Sequence, residues 1–345
     1  MGLLEDFLAG KNITPDQILT ELANKPSKAE LAALNIQVNT KRILRELGHN
    51  LIVTSGSSFT VGGTPFMVED DVTLNPDLIL DVGEIENGKD YRLYLCLNNA
   101  QFSWKLSLSE IAPQGFSPET SICVGGYHTL CRSVGDIPNH SLTGLAAGKP
   151  LVPSIWDLLH KPTCSPNGMI FQDMRQFGYN YNLWADIYEQ SGTGYDTKSV
   201  FGATVTTDRQ GDLHVYDMMA VGKRLIKDAE FYILAEGSNE KTNVLGSAKK
   251  TAGGQVDTAD RRMISNNGME SMCGNTWSWS YDVGSGSGGH TALENGKGSP
   301  GYSNRILMGG GYGDGAYCGP ACRHGDYSRV DVRAYCGGRG CCEVD

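Results

Sequence analysis

The stretch that most constrains this chain lies in its last thirty-odd residues. From Gly311 to Gly340 the sequence runs GYGDGAYCGPACRHGDYSRVDVRAYCGGRG, with neither the alternation of a strand nor the 3.6-residue period of a helix. A segment like this supplies no core element of its own, so a scaffold built by earlier residues must carry it as loop. Its vocabulary is Tyr312, Tyr317, Tyr327 and Tyr335 among Gly, Asp, His, Arg and Ser. Tyrosine offers rigid amphipathic contact area and Gly or Ser offers adaptability, the mixture found in antibody binding loops.

What the window lacks is equally informative. Lys, Glu, Gln, Met and Trp account for 55 of the 345 residues, so about five would be expected in thirty positions; none occurs. An asparagine codon ending in a pyrimidine, mutated only at its two adenines, gives Tyr, Asp, His, Arg, Ser, Gly, Ala, Val, Cys or Pro. It never gives the five missing types. Two readings stand at this point: a Gly-rich loop of chance composition, or a loop rewritten at adenine-bearing codons.

The rest of the composition sets limits. A length of 345 residues with 40% hydrophobic content supports two domains with proper cores. The 44 glycines and short apolar runs favour β and loop over helical bundles. A net charge of -10 excludes the clustered Lys and Arg that phosphate affinity needs, so no nucleic-acid partner is expected. The start, MGLLEDFLAGKNITPDQ, carries acidic residues and no long apolar run. It reads as neither a secretion signal nor a membrane span, so synthesis in a cytosol without membrane insertion is expected. Ten cysteines then read as reduced thiols unless the protein later meets an oxidant.

Along the chain, residues 1–48 read as short helices, with Thr14 and Pro15 opening one of them and Leu31, Leu34, Val38, Ile43, Leu44 and Leu47 forming an imperfect stripe in the last. This segment is expected to serve attachment or self-association. Residues 49–136 change to short strands separated by Gly62-Gly63-Thr64-Pro65, Asn87-Gly88 and Pro113-Gln114-Gly115, an all-β sandwich or prism. Phe102, Trp104, Leu106 and Leu108 alternate within it, and LILDVGEI reads as a further strand. His128, Cys123 and Cys131 fit no zinc spacing and read as buried side chains. Residues 137–150, with Pro138, Gly144, Gly148 and Pro150, read as a linker. Residues 151–345 form the second domain, with one long helix expected over VYDMMAVGKRLIKDAEFYILAEGS and stopped by Gly237. In NTWSWSYD, Trp277, Trp279 and Tyr281 share a strand face and are expected in the core.

Three groups of residues now stand in order: Gly222-Lys-Arg-Leu with Asp228-Ala-Glu-Phe231 and Ala235-Glu-Gly237; Gly274-Asn-Thr-Trp277-Ser-Trp279; and Arg305-Ile-Leu-Met-Gly-Gly310 leading to Gly338-Arg-Gly340. The ordered set resembles the C-type lectin fold of the formylglycine-generating-enzyme type over about residues 151–345. Within it, RRMISNNGMESMCGNTWSW and the ending Cys318-Gly-Pro-Ala-Cys322 through Gly340-Cys-Cys342 are similar to the variable proteins of diversity-generating retroelements, phage tropism determinants among them. GGTPFMVEDDVTL and VGGYHTLC resemble modules of phage tail proteins. The resemblance implies an α+β chain: N-terminal helices, an all-β domain, and a C-type lectin-like domain whose region of about 309–340 is rewritten by an error-prone reverse transcriptase.

It further implies a receptor-binding protein at the tip of a phage tail fibre, located in the virion and not an enzyme. Its partners would be a host cell-surface receptor, protein or glycan, and other tail proteins, with a homotrimer expected. No cofactor and no metal are implied. The variable, ligand-binding positions would be Tyr312, Asp314, Tyr317, His324, Asp326, Tyr327, Arg329, Asp331, Arg333 and Tyr335. Alternatives are a bacterial or prophage-encoded diversified binder and an oxidase of the formylglycine-generating type. For the oxidase, Cys336 would match one of two copper-binding cysteines and Cys341 a terminal one, but Asp331 stands where the second should be, and one thiolate is a poor copper(I) site. A zinc site from Cys318, Cys322, Cys341 and Cys342 near His324 fits no finger or ribbon spacing. Glu69, Asp70 and Asp71 lack the spacing of a calcium loop and read as a solvated turn.

Overall fold

The computed structural model describes residues 42–47, 50–284, 304–325 and 327–343. The helices expected before residue 42, most of the Gly/Ser run after Gly284, and Asp326 lie outside the described residues.

The end of the expected third helix is a strand. Leu44–Leu47 (β1) pairs antiparallel with Asn50–Val53 (β2), which also pairs with Val72–Leu74 (β5). Strand pairing is favoured here because it buries Leu44 completely beside Leu51 and Val53, each worth roughly 1.5–3 kcal/mol. The Asp157 carboxylate also accepts the Ile43 and Leu44 amides, at 2.9 and 3.1 Å. Ser58–Val61 (β3) and Thr64–Met67 (β4) form a hairpin through Gly62 and Gly63, whose φ values of 56° and 78° suit a two-residue turn that glycine adopts freely. LILDVGEI, expected as a strand, begins inside one helical turn, Pro76–Ile79 (α1). Asn75 caps it by accepting the Asp77 amide at 3.0 Å, and Pro76 takes the first helical position.

Asp90–Asn98 (β6), Gln101–Ser107 (β7), Ser121–His128 (β8) and Trp156–Asp157 (β9) form a sheet in the order β7-β6-β8-β9. Its last strand lies beyond residues 137–150. Those residues fold back onto the chain before them: the Leu130 amide donates to the Lys149 carbonyl at 2.8 Å, the Val134 amide to Leu145 at 3.0 Å, and Leu142 and Leu145 pack on Leu130, Val134 and Ile264. His128 is buried with both ring nitrogens engaged, by Asp90 at 2.8 Å and the Tyr188 hydroxyl at 2.9 Å.

The next sheet is made of Met169–Gln172 (β10), Leu183–Asp186 (β11), Arg224–Leu225 (β12) and Gly340–Glu343 (β17), in the order β10-β11-β17-β12. The final strand is thus inserted between earlier ones. The single long helix expected nearby is two helices, Gly211–Ala220 (α2) and Asp228–Leu234 (α3), parted at Gly222 with φ 73°. Breaking the helix lets Leu225 pair with Gly340 and brings the Arg224 guanidinium onto the buried Glu230 carboxylate at 2.6 and 2.8 Å.

The last sheet carries the loop. Trp277–Gly284 (β13), Asn304–Met308 (β14), Arg323–His324 (β15) and Cys336–Gly337 (β16) run in the order β15-β14-β13-β16. Trp279 is fully buried and Trp277 nearly so, but Tyr281 is 44% exposed, which corrects the expectation that all three are core. A bulge between Trp279 and Val283 sets three residues of β13, Ser280 to Asp282, against Ile306 alone of β14, so the regular facing is lost at Tyr281.

Candidate functional site

After β14 the chain turns through Gly309 and Gly310, with φ 90° and 85°; a Cβ at Gly310 would meet Cys318 at 2.9 Å. It loops out to β15, returns along β14, loops out again to β16 and enters β17 through Gly338 and Arg339. The scaffold holds this excursion largely by the loop's own carbonyls. Asn243 Nδ2 donates to the Tyr312 carbonyl at 2.5 Å and Lys250 Nζ to that of Ala334 at 3.0 Å. Backbone amides of Asp212, Asp208 and Trp277 donate to the carbonyls of Arg329, Arg333 and Tyr335 at 3.1, 3.0 and 2.8 Å. A backbone acceptor is present whatever the side chain, so these contacts survive substitution of the loop residues that accept them.

Several of the loop's side chains gather instead around an opening to solvent. Tyr312, Asp314, His324, Tyr327 and Tyr335 line a pocket of about 300 Å³ with Trp277 at its wall. His324 stacks on Tyr327 with centroids 4.8 Å apart and planes at 13°, and meets Trp277 edge-on at 5.6 Å. The Tyr327 and Tyr335 hydroxyls are 2.9 Å apart, and the Arg333 guanidinium lies 4.8 Å over the Tyr327 ring. An adjoining groove of about 540 Å³ holds Tyr317, which is 80% exposed, beside Glu240 and Lys241.

The structure therefore brings together six of the ten sequence-derived positions: five in the pocket and Tyr317 in the groove. Arg333 covers the pocket's Tyr327 and pairs with Asp331 at 3.5 Å. Arg329 is turned away to Asp212 at 3.3 Å, a carboxylate that Arg305 also binds. Asp326 lies outside the described residues. Sequence reasoning placed Trp277 in the core, yet its edge lines both cavities, and it missed Asn243, Glu240 and Lys241 altogether. The Gly274-Asn-Thr-Trp277 group immediately before the loop-bearing strand was the available signal for Trp277. The other three belong to a separate loop with no pattern of their own.

The hydroxyl pair offers a direct probe of the pocket. The hydrogen bond to Tyr327, together with burial, pushes the Tyr335 phenol up to about 12. A folded-state value above the ordinary one of 10.0 means that its stabilising contribution is complete below about pH 10 and is lost as pH rises toward 12. Titration of tyrosinate absorbance should show one late-ionising phenol in this pair, and Tyr327→Phe should return it toward the ordinary range. An unchanged titration would place the two hydroxyls apart.

The cysteines are dispersed. Cys336 is buried, and burial pushes its thiol up to about 12. Cys341 faces the carbonyls of Arg224 and Leu225, while Cys342 faces Cys164. Cys318 and Cys322 belong to the loop. Among the described residues no three His, Cys, Asp or Glu side chains converge as metal ligands, and none of the helices described is long and apolar enough to cross a membrane. Asp71 accepts the Ser55 amide at 2.8 Å and pairs with Arg45.

Residues 43–157 match the family model described as the Mtd second domain, an extent that includes β9. The structure resembles the Major Tropism Determinant U1 and I1 variants, each with TM-score 0.70 and 22% identity, covering 89% of this chain and 84% of the other. The P3c variant gives 0.69 and 22% over the same shares. No curated protein matches the chain. The fold is accordingly similar to that of these proteins, mostly β with few helices.

Proposed function

We propose that this chain is a phage host-recognition protein, carried on the virion at a tail-fibre tip, whose loop of about 309–340 is the receptor-binding face and is diversified by a retroelement. The observation that carries the reading is the division of labour in that loop. Carbonyls of Tyr312, Arg329, Arg333, Ala334 and Tyr335 tie it to the scaffold, while five of its side chains line the pocket and Tyr317 stands in the groove. A binding surface that must change needs side chains facing solvent on a backbone held by other means. The missing Lys, Glu, Gln, Met and Trp point the same way, as does the fold shared with proteins titled as variants of a tropism determinant.

The partner would be a protein or glycan on the host surface. A small open pocket with aromatic walls suits modest affinity per site, and a homotrimer on a fibre bound to other tail proteins would add avidity. No catalytic step is assigned, because Cys336 is sealed in the core and Asp331 offers a carboxylate, not a thiolate, to any copper ion. The test is adsorption: fluorescently labelled full-length chain should bind susceptible bacteria saturably and compete with infection by the parent phage. Equal binding to resistant bacteria, with no competition, would overturn the reading.

A further inference from the structure

Apart from the loop, one pair of reactive groups stands out in the lectin-like half. Cys164 precedes β10 and Cys342 lies in β17, 178 residues later, yet their sulfurs are 2.6 Å apart. The approach does not depend on the thiols alone: the amide and hydroxyl of the adjacent Thr163 both donate to the Glu343 carbonyl, at 3.2 and 3.4 Å. Trp156, Phe171, Met169 and Trp184 pack around the pair. Successive residues of a strand face opposite sides, so Cys341 turns to Leu225 and only Cys342 meets Cys164. Cys342 is nearly sealed, whereas Cys164 is partly open to solvent, which gives a small oxidant an approach.

We infer that Cys164 and Cys342 are a disulfide-forming modification site, made as thiols and closed when the protein meets a disulfide oxidant, so that β17 is locked to the segment before β10. Either thiol can donate to the other across the 2.6 Å contact, so the two sulfurs are already in reach of one another before oxidation. Cys164, the sulfur that solvent reaches, is therefore the one that meets the oxidant first. With oxidised glutathione, the Cys164 thiolate attacks one glutathione sulfur and expels glutathione thiolate, leaving a mixed disulfide. Cys342, on losing its proton, attacks the Cys164 sulfur of that bond and expels the second glutathione. Both protein sulfurs are oxidised, and two glutathione thiols take up the two electrons and two protons. The bond encloses nearly all of the lectin-like domain and ties down the strand that follows the variable loop, so it should raise the melting temperature.

The test uses the full chain, exposed to oxidised glutathione or to a reductant, alkylated, digested without reduction and mapped by mass spectrometry. The expected product is one linked peptide pair joining Cys164 to Cys342, two hydrogens lighter than the free thiol peptides. The oxidised chain should melt several degrees above the reduced one, and Cys342→Ser should stop at Cys164 bonded to glutathione. Alkylation of both cysteines after oxidation, or a link between any other pair, would overturn the inference. Because the mapping is made on the unaltered chain, it stands even if the serine variant does not fold.

Discussion

Arg339→Ala should cost the fold about 3–5 kcal/mol in chemical denaturation, the range for truncating a large buried side chain and leaving its buried hydrogen-bond acceptors without a donor. The Arg339 guanidinium is 1% exposed and joins three separate parts of the chain. One terminal nitrogen donates to the carbonyls of Asp186 and Ile187 at 2.9 and 2.6 Å, and the other to that of Glu270 at 2.6 Å. Removing it leaves three buried acceptors without that donor and a cavity at the centre of the domain. It also removes positive charge that offsets burial at Glu189, whose carboxyl burial already pushes up. Lysine has one ammonium for three divergent carbonyls and should rescue only part of the loss. Gly338 and Gly340 flank the site with no room for a Cβ, which would lie 2.8 Å from Gln190 Oε1 or 2.5 Å from Asp186 Oδ2. A near-normal urea midpoint for Arg339→Ala would mean that this junction does not hold the end of the loop.

Tyr317→Ala should do the reverse. The ring is 80% exposed in the groove, so stability should change by no more than about 0.5 kcal/mol. If this face is the receptor site, an exposed tyrosine beside a pocket is the kind of anchor whose loss costs about 2 kcal/mol or more, roughly a thirtyfold fall in affinity. Binding of labelled chain to susceptible cells, set beside the melting temperature, separates the two effects. Tyr327 differs, because its half-buried ring supports His324, Tyr335 and Arg333, and Tyr327→Ala should lower binding and stability together. A Tyr317→Ala chain that melts early, or binds as before, would remove Tyr317 from the proposed face.

These contrasts mark what local sequence can carry. Most of the strands between Asn50 and His128 were legible from alternation and turn residues, as in the hairpin at Gly62-Gly63. The loop was legible from composition, and its anchors from the ordered Gly, Trp and Arg groups. Features settled by distant partners were not. Leu44 has the neighbours of a helix but is drawn into a strand by Leu51, Val53 and Asp157. The helix expected through Gly222 breaks because Leu225 finds a partner in Gly340, 115 positions later by number. Trp277 looks like core because it is core on one side, and only the fold shows its other edge in the pocket. Cys164 and Cys342 share no local pattern and meet only when the last strand is inserted between earlier ones.

The central claim is that a rewritten loop rides on a fixed scaffold, and the gene itself records whether this is so. Sequencing codons 261–345 across a population that carries this gene, together with the neighbouring DNA, should reveal a near-copy of the 3′ end. Substitutions should fall at adenines of that copy, in the codons for Tyr312, Asp314, Tyr317, His324, Tyr327 and Tyr335, and spare Trp277, Gly310, Gly338, Arg339 and Gly340. An invariant 3′ end without a copy, or changes spread evenly over loop and anchors, would contradict it.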